Sequence, residues 1–143
     1  MGHKNSSTEY LNEKLLQTNN LKSFLKENKQ VIAKDTFAVA LGKKIDENEL
    51  TNSDVFKKAN ISHSTGYQIL NGRRLPSRDK VLQLTVALGL NLEETNKLLR
   101  LSKHGELYVK EKRDAVLIFS INNTLNLMEI NDILYEEDLK ILE

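Results

Sequence analysis

Residues 50–75 constrain this chain more than any other stretch. They read Leu-Thr-Asn-Ser-Asp-Val-Phe-Lys-Lys-Ala-Asn-Ile-Ser-His-Ser-Thr-Gly-Tyr-Gln-Ile-Leu-Asn-Gly-Arg-Arg-Leu. Thr51 or Asn52 is suited to cap a first short helix ending near Ala59-Asn60. Ser62 caps a second, which runs to Asn71-Gly72. A tight turn joins the two, and an arginine-rich exit comes next. Pro76 is the only proline, and aromatics are few among abundant Leu, Ile, Lys, Glu and Asn, which argues against an all-β fold. The expected class is all-α.

Charge is unevenly spread over the 143 residues. Residues 51–80 carry six basic and two acidic side chains, and residues 114–143 carry one basic and seven acidic. Such asymmetry, with positive charge peaking at 51–80, points to a polyanion partner on one side. Absence of cysteine excludes disulfides, thiolate metal sites and cysteine nucleophiles, and fits a cytoplasmic setting. No apolar run approaches the roughly 18 residues that span a bilayer. The polar N-terminus lacks a signal-peptide core, and the formal myristoylation match at Met1-Gly2-His3-Lys4-Asn5-Ser6 is read as chance.

Helical spacing accounts for the rest of the chain. Thr8 is expected to cap a first helix with Tyr10, Leu11, Leu15 and Leu16 on one stripe. Asn20 caps a second with Leu21, Phe24 and Leu25. Val31-Ile32-Ala33 is too short to assign. These helices form an N-terminal appendage, 1–34, expected to dock on the helical core after it. Asp35 or Thr36 caps a helix built on Phe37, Ala40, Leu41 and Ile45, in which Gly42 implies a close neighbour. Pro76-Ser77 opens a helix that Gly89 ends, and Asn91 with Glu94 forms a capping box for a helix to Leu101. A core domain 35–104 closes at Lys103-His104-Gly105. A C-terminal extension, 105–143, expected either to dock on that core or to join two copies, holds a helix over 112–122, with Ala115, Val116, Ile118, Phe119 and Ile121, and one capped by Asn126, burying Leu127, Ile130, Ile133 and Leu134. No internal repeat or low-complexity segment is evident.

A helix-turn-helix makes positional demands that residues 52–69 can be held to. The fifth position wants a small residue and holds Phe56. The ninth tolerates left-handed backbone and holds Asn60. The tenth and eighteenth are apolar, Ile61 and Ile69. The fifteenth wants valine or isoleucine and holds Gly66. The two departures have opposite signs and face one another across the helix crossing. A large-for-small exchange paired with its reverse conserves volume, so the Phe56 ring is expected to lie over Gly66.

Residues 36–101 resemble the Cro/repressor-type, or XRE-like, helix-turn-helix family. The resemblance rests on Ile61-Ser62-His63-Ser64-Thr65, Asn71-Gly72-Arg73-Arg74-Leu75-Pro76-Ser77 and Ala87-Leu88-Gly89-Leu90. The family's usual Gln near the start of the first motif helix is Asn52 here, and its acidic residue before the Asn-Gly pair is absent. The resemblance implies a five-helix, lambda-repressor-like helix-turn-helix core of bacterial or phage type. It also implies a homodimer acting in transcription regulation on palindromic double-stranded DNA.

The second motif helix, 63–71, is then the one that reads the major groove. It presents His63, Ser64, Tyr67 and Gln68 outward, with Gln68 suited to adenine. Arg73, Arg74 and Arg78 are expected phosphate clamps, and Asn52 and Lys57 phosphate contacts on the first helix. The alternative is a protein-interaction adaptor, or an antitoxin-like or phage-control protein, using the acidic C-terminal helices. Those helices could also join two copies through Val116, Phe119, Leu127, Ile130, Ile133 and Leu134. His3, His63 and His104 show no metal-ligand spacing, and no Ser/His/Asp arrangement, P-loop or HExxH is indicated. No cofactor, no membrane association and no enzymatic activity are expected.

Overall fold

The structure is a computed structural model and describes residues 7–29 and 36–143. Among the described residues there are nine helices and no strand, so the fold is all-α. The helices are α1 (Thr8–Gln17), α2 (Leu21–Glu27), α3 (Phe37–Glu47), α4 (Asn52–Lys58), α5 (His63–Leu70), α6 (Arg78–Ala87), α7 (Leu92–Leu101), α8 (Lys112–Asn122) and α9 (Leu127–Glu136). No helix among them is long and apolar enough to cross a membrane. Two compact units result, Met1–Asp35 and Thr36–Glu143.

In the first unit, Ser7 rather than Thr8 caps α1, and Asn20 caps α2 as expected. The stripe on α1 covers little. Leu15, Leu16, Leu21 and Leu25 are exposed, and among the described residues of this unit Phe24 alone is a buried apolar side chain. Val31-Ile32-Ala33 and Asp35 lie outside the described residues.

The second unit runs on across 104/105, and residues 105–143 dock on the core. Leu107, Leu117, Ile130, Leu134 and Leu142 join Phe37, Leu41, Ile45, Val55, Phe56, Leu82, Leu84 and Leu99 in one buried cluster. The C-terminal helices are therefore part of the core. Helix starts follow the side-chain caps. Thr36, Thr51, Ser62 and Ser77 each accept a backbone N–H of the first turn, and Asn91–Glu94 and Asn126–Glu129 form complete capping boxes. Leu117 is the side chain that seats α8, whereas Phe119 points outward at 57% exposure. A Cβ on Gly42 would meet open space, so no close neighbour accounts for that glycine.

Four of the charged side chains tie α6 to α8. Arg78 forks onto Asp114 at 2.9 and 2.8 Å, and Arg113 forks onto Asp79 at 2.9 and 3.0 Å. Burial pushes both aspartates up, but the facing guanidinium outweighs it in each case and holds the carboxyl below the usual range. Between α3 and α7, Lys44 reaches Glu94 at 2.6 Å.

Candidate nucleic-acid interface

The α4–α5 pair is built from its turn outward. Asn60 takes φ 55°, a left-handed conformation that asparagine tolerates better than most residues. This lets Asn60 N–H bond Lys57 O and Ile61 N–H bond Phe56 O, closing α4. The carbonyl of Ala59, left over at the turn, accepts from Gln83 Nε2 at 2.7 Å. A buried α6 side chain therefore fixes the turn. Gln83 lies outside the motif, and nothing in its sequence context singles it out.

Phe56 sits over Gly66. The ring is fully buried, and a Cβ on Gly66 would come within 2.6 Å of three of its carbons. The same ring is met edge-on by His63, at 6.0 Å and 88°, and by Tyr67, at 5.2 Å and 82°. T-shaped pairs of this kind are favourable for aromatic quadrupoles. His63 Nε2 also hydrogen-bonds Ser53 Oγ at 2.8 Å. Two exposed residues of α5 are thus held from behind by α4. The serine–histidine contact is not evident from spacing. It carries no third, orienting carboxylate among the described residues and serves as a tie between helices.

His63, Ser64, Tyr67 and Gln68 all reach the surface, with Tyr67 at 44% exposure. Ser64 and Gln68, one turn apart, have no hydrogen-bonding side-chain partner among the described residues. Asn71 is the C-cap, so α5 is one residue shorter than the expected helix 63–71. Beyond it, Gly72 at φ 73° turns the chain, and the amides of Arg73 and Arg74 both bond Gln68 O, at 3.0 and 3.2 Å. This brings the two arginines back beside the end of α5. Their side chains are exposed and meet no acid among the described residues, as is true of Lys57. Asn52 is half-buried at the start of α4, where Thr51 rather than Asn52 makes the cap.

Arg78 leaves the expected set of phosphate clamps. Besides its fork onto Asp114, its Nε donates to Gly105 O at 3.2 Å and its Nη2 to Glu106 O at 3.2 Å. Four of its five N–H donors are used inside the fold, and the residue is a brace between α6, α8 and the loop after α7. His104 adds to that brace through Pro76 O at 2.8 Å. Among the described residues, no group of His, Cys, Asp or Glu is placed to hold a metal ion.

In comparisons with known proteins the chain matches no family model, no curated protein and no solved structure.

Proposed function

We propose that α3–α7 form a lambda-repressor-like helix-turn-helix core, and that the protein is a DNA-binding transcription regulator that lays α5 in the major groove. One observation carries the reading. A short helix with outward Ser64, Tyr67, Gln68 and His63 is flanked by three cations, Lys57, Arg73 and Arg74, that meet no acid among the described residues. Exposed cations before and after a polar helix in the chain suit contacts to phosphates beside a groove. His63 and Tyr67, held from behind by Phe56, would meet base edges already ordered, which lowers the entropic cost of reading them.

The test is a salt series of binding to duplex DNA selected from random sequence. Replacing Arg73 and Arg74 together by alanine should weaken binding across all sequences. It should also flatten the plot of log affinity against log salt by about 2, near 0.9 for each phosphate no longer neutralised. An unchanged slope would remove the phosphate grip from the reading.

A second reading, a protein-binding adaptor, is favoured by a separate observation. Phe119, Met128 and Tyr135 are exposed on α8 and α9, within the acidic end of the chain. Homodimerisation or a protein partner would use such a surface.

A further inference from the structure

The second unit repeats itself with a shift of 35 positions. Residues 78–107 and 113–142 align without a gap, and 11 of the 30 positions are identical. Identity alone would carry little at that length. The hydrogen bonds carry more, because they recur at the same shift. Arg78 Nε and Nη2 donate to the carbonyls of residues 105 and 106, and Arg113 Nε and Nη2 donate to those of residues 140 and 141. Asn96 Oδ1 accepts the amide of Leu107, and Asn131 Oδ1 accepts that of Leu142. The capping box Asn91–Glu94 recurs as Asn126–Glu129. Left-handed backbone at Gly89 and Lys103 recurs at Thr124 and Asp138. A repeat is present, then, contrary to what inspection of the sequence suggests. It is hidden there because helix-surface residues and both left-handed turn residues, Gly89 against Thr124 and Lys103 against Asp138, have diverged.

The two halves also face each other reciprocally. The Arg-Asp pair at the start of α6 exchanges partners with the Arg-Asp pair at the start of α8. Helix α9 packs on α6, and α7 packs on α8. This is the pattern of an isologous pair, in which each half gives what it receives.

Burial breaks that symmetry most clearly on one apolar face. Leu82, Leu99 and Leu107 are buried, and so are their counterparts Leu117, Leu134 and Leu142. Val81, Leu84, Leu90 and Leu98 are buried too, yet their counterparts Val116, Phe119, Leu125 and Ile133 are only partly covered or exposed. In the first half, α4 packs on α6 and α3 packs on α7. Lys44 of α3 also satisfies Glu94. In the second half the counterpart Glu129 is exposed and has no cation partner among the described residues. The four side chains left open are apolar, and one of them, Phe119, lines a shallow groove with Ile118 and Ile121 beside the turn at Gly89-Leu90.

We infer that residues 78–107 and 113–142 are two copies of one helical-hairpin module, and that the uncovered face of the second, centred on Phe119 and Glu129, docks an amphipathic, lysine-bearing helix pair of a partner protein. The occupant is specified by the first module. There the same face takes a helix pair with an apolar stripe and a lysine opposite the capping-box glutamate. The inference does not rest on DNA binding, since neither α8 nor α9 supplies a residue to the α5 face.

A synthetic peptide of residues 36–59, carrying α3 and α4, is the probe. Titrated into the isotope-labelled full chain, it should shift the resonances of Ile118, Phe119, Leu125 and Glu129 saturably. Phe119→Asp, at an exposed position, should leave thermal stability unchanged and weaken binding at least about tenfold, as loss of one buried aromatic anchor does. A peptide with Lys44→Glu should bind worse to the native chain and better to the Glu129→Lys chain. No saturable shift at this face, or shifts indifferent to Phe119→Asp and to the charge exchange, would overturn the proposal. A dimer in sedimentation that Phe119→Asp dissolves would assign the face to a second copy and overturn it equally.

Discussion

Gly66→Val is expected to cost about 3 kcal/mol of stability, the upper range for overpacking. The Phe56 ring occupies the space into which any Cβ would project, and that ring is fully buried. Phe56→Ala alone should cost about 4 kcal/mol through the cavity it leaves. The informative variant combines the two. Valine at 66 would then point into the space vacated at 56, so the double variant should cost about 3 kcal/mol less than the sum of the singles. Urea denaturation of the four proteins measures this directly. Additive losses would show that the ring and the glycine are independent. The double variant has a second use, because it removes the ring that holds His63 and Tyr67. If those residues read bases, it should bind duplex DNA with less sequence discrimination at similar salt dependence.

The second large effect lies at the reciprocal Arg-Asp crossing. Arg78→Ala should cost about 3 kcal/mol, because it strands the carboxylate of Asp114 at a site almost closed to water. Arg113→Ala should cost somewhat less, since Asp79 keeps Lys140 at 3.9 Å and is better hydrated. Acid should act on the same contacts. Both aspartates are held below the usual carboxylate range, so their folded values lie under their unfolded ones. Such groups contribute fully above the unfolded value, about 4, and the contribution is lost as pH falls through the folded value. Stability should therefore decline below about pH 4. Asp79→Asn with Asp114→Asn should be less stable at neutral pH and show a flatter acid limb, converging on the native protein at the lowest pH. An unaltered acid limb would place the acid sensitivity elsewhere.

Much of the α4–α5 region is legible in the sequence because its constraints are local. A cap, a left-handed asparagine and two apolar positions act within a few residues of one another. Even the Phe56–Gly66 contact can be anticipated, as a conflict between two adjacent helices that only mutual compensation resolves. Arg78 shows where local reasoning stops. An arginine after a polar helix looks the same whether it awaits a phosphate or grips an aspartate 36 positions away. The outward turn of Phe119 is hidden for a similar reason. On a helix with apolar residues at every position from 115 to 119, the choice of Leu117 as the inward residue is made by α7 and α9, not by α8. The module repeat becomes legible only at a shift of 35, because the Arg, Asp, Asn and Glu side chains that make its recurring bonds are identical but thinly spread among helix-surface positions that have diverged.

The reciprocal crossing also sets a limit on growth. Each module spends its arginine on the other's aspartate and its aspartate on the other's arginine, so the pairing saturates at two. A third module appended to this chain would find no complementary pair left to engage. Repeat proteins that lengthen by stacking offer a fresh edge at each step, and this one does not. A sequence carrying three or more such modules in tandem would have to hold them as separate couples, with any odd member left without its electrostatic mate.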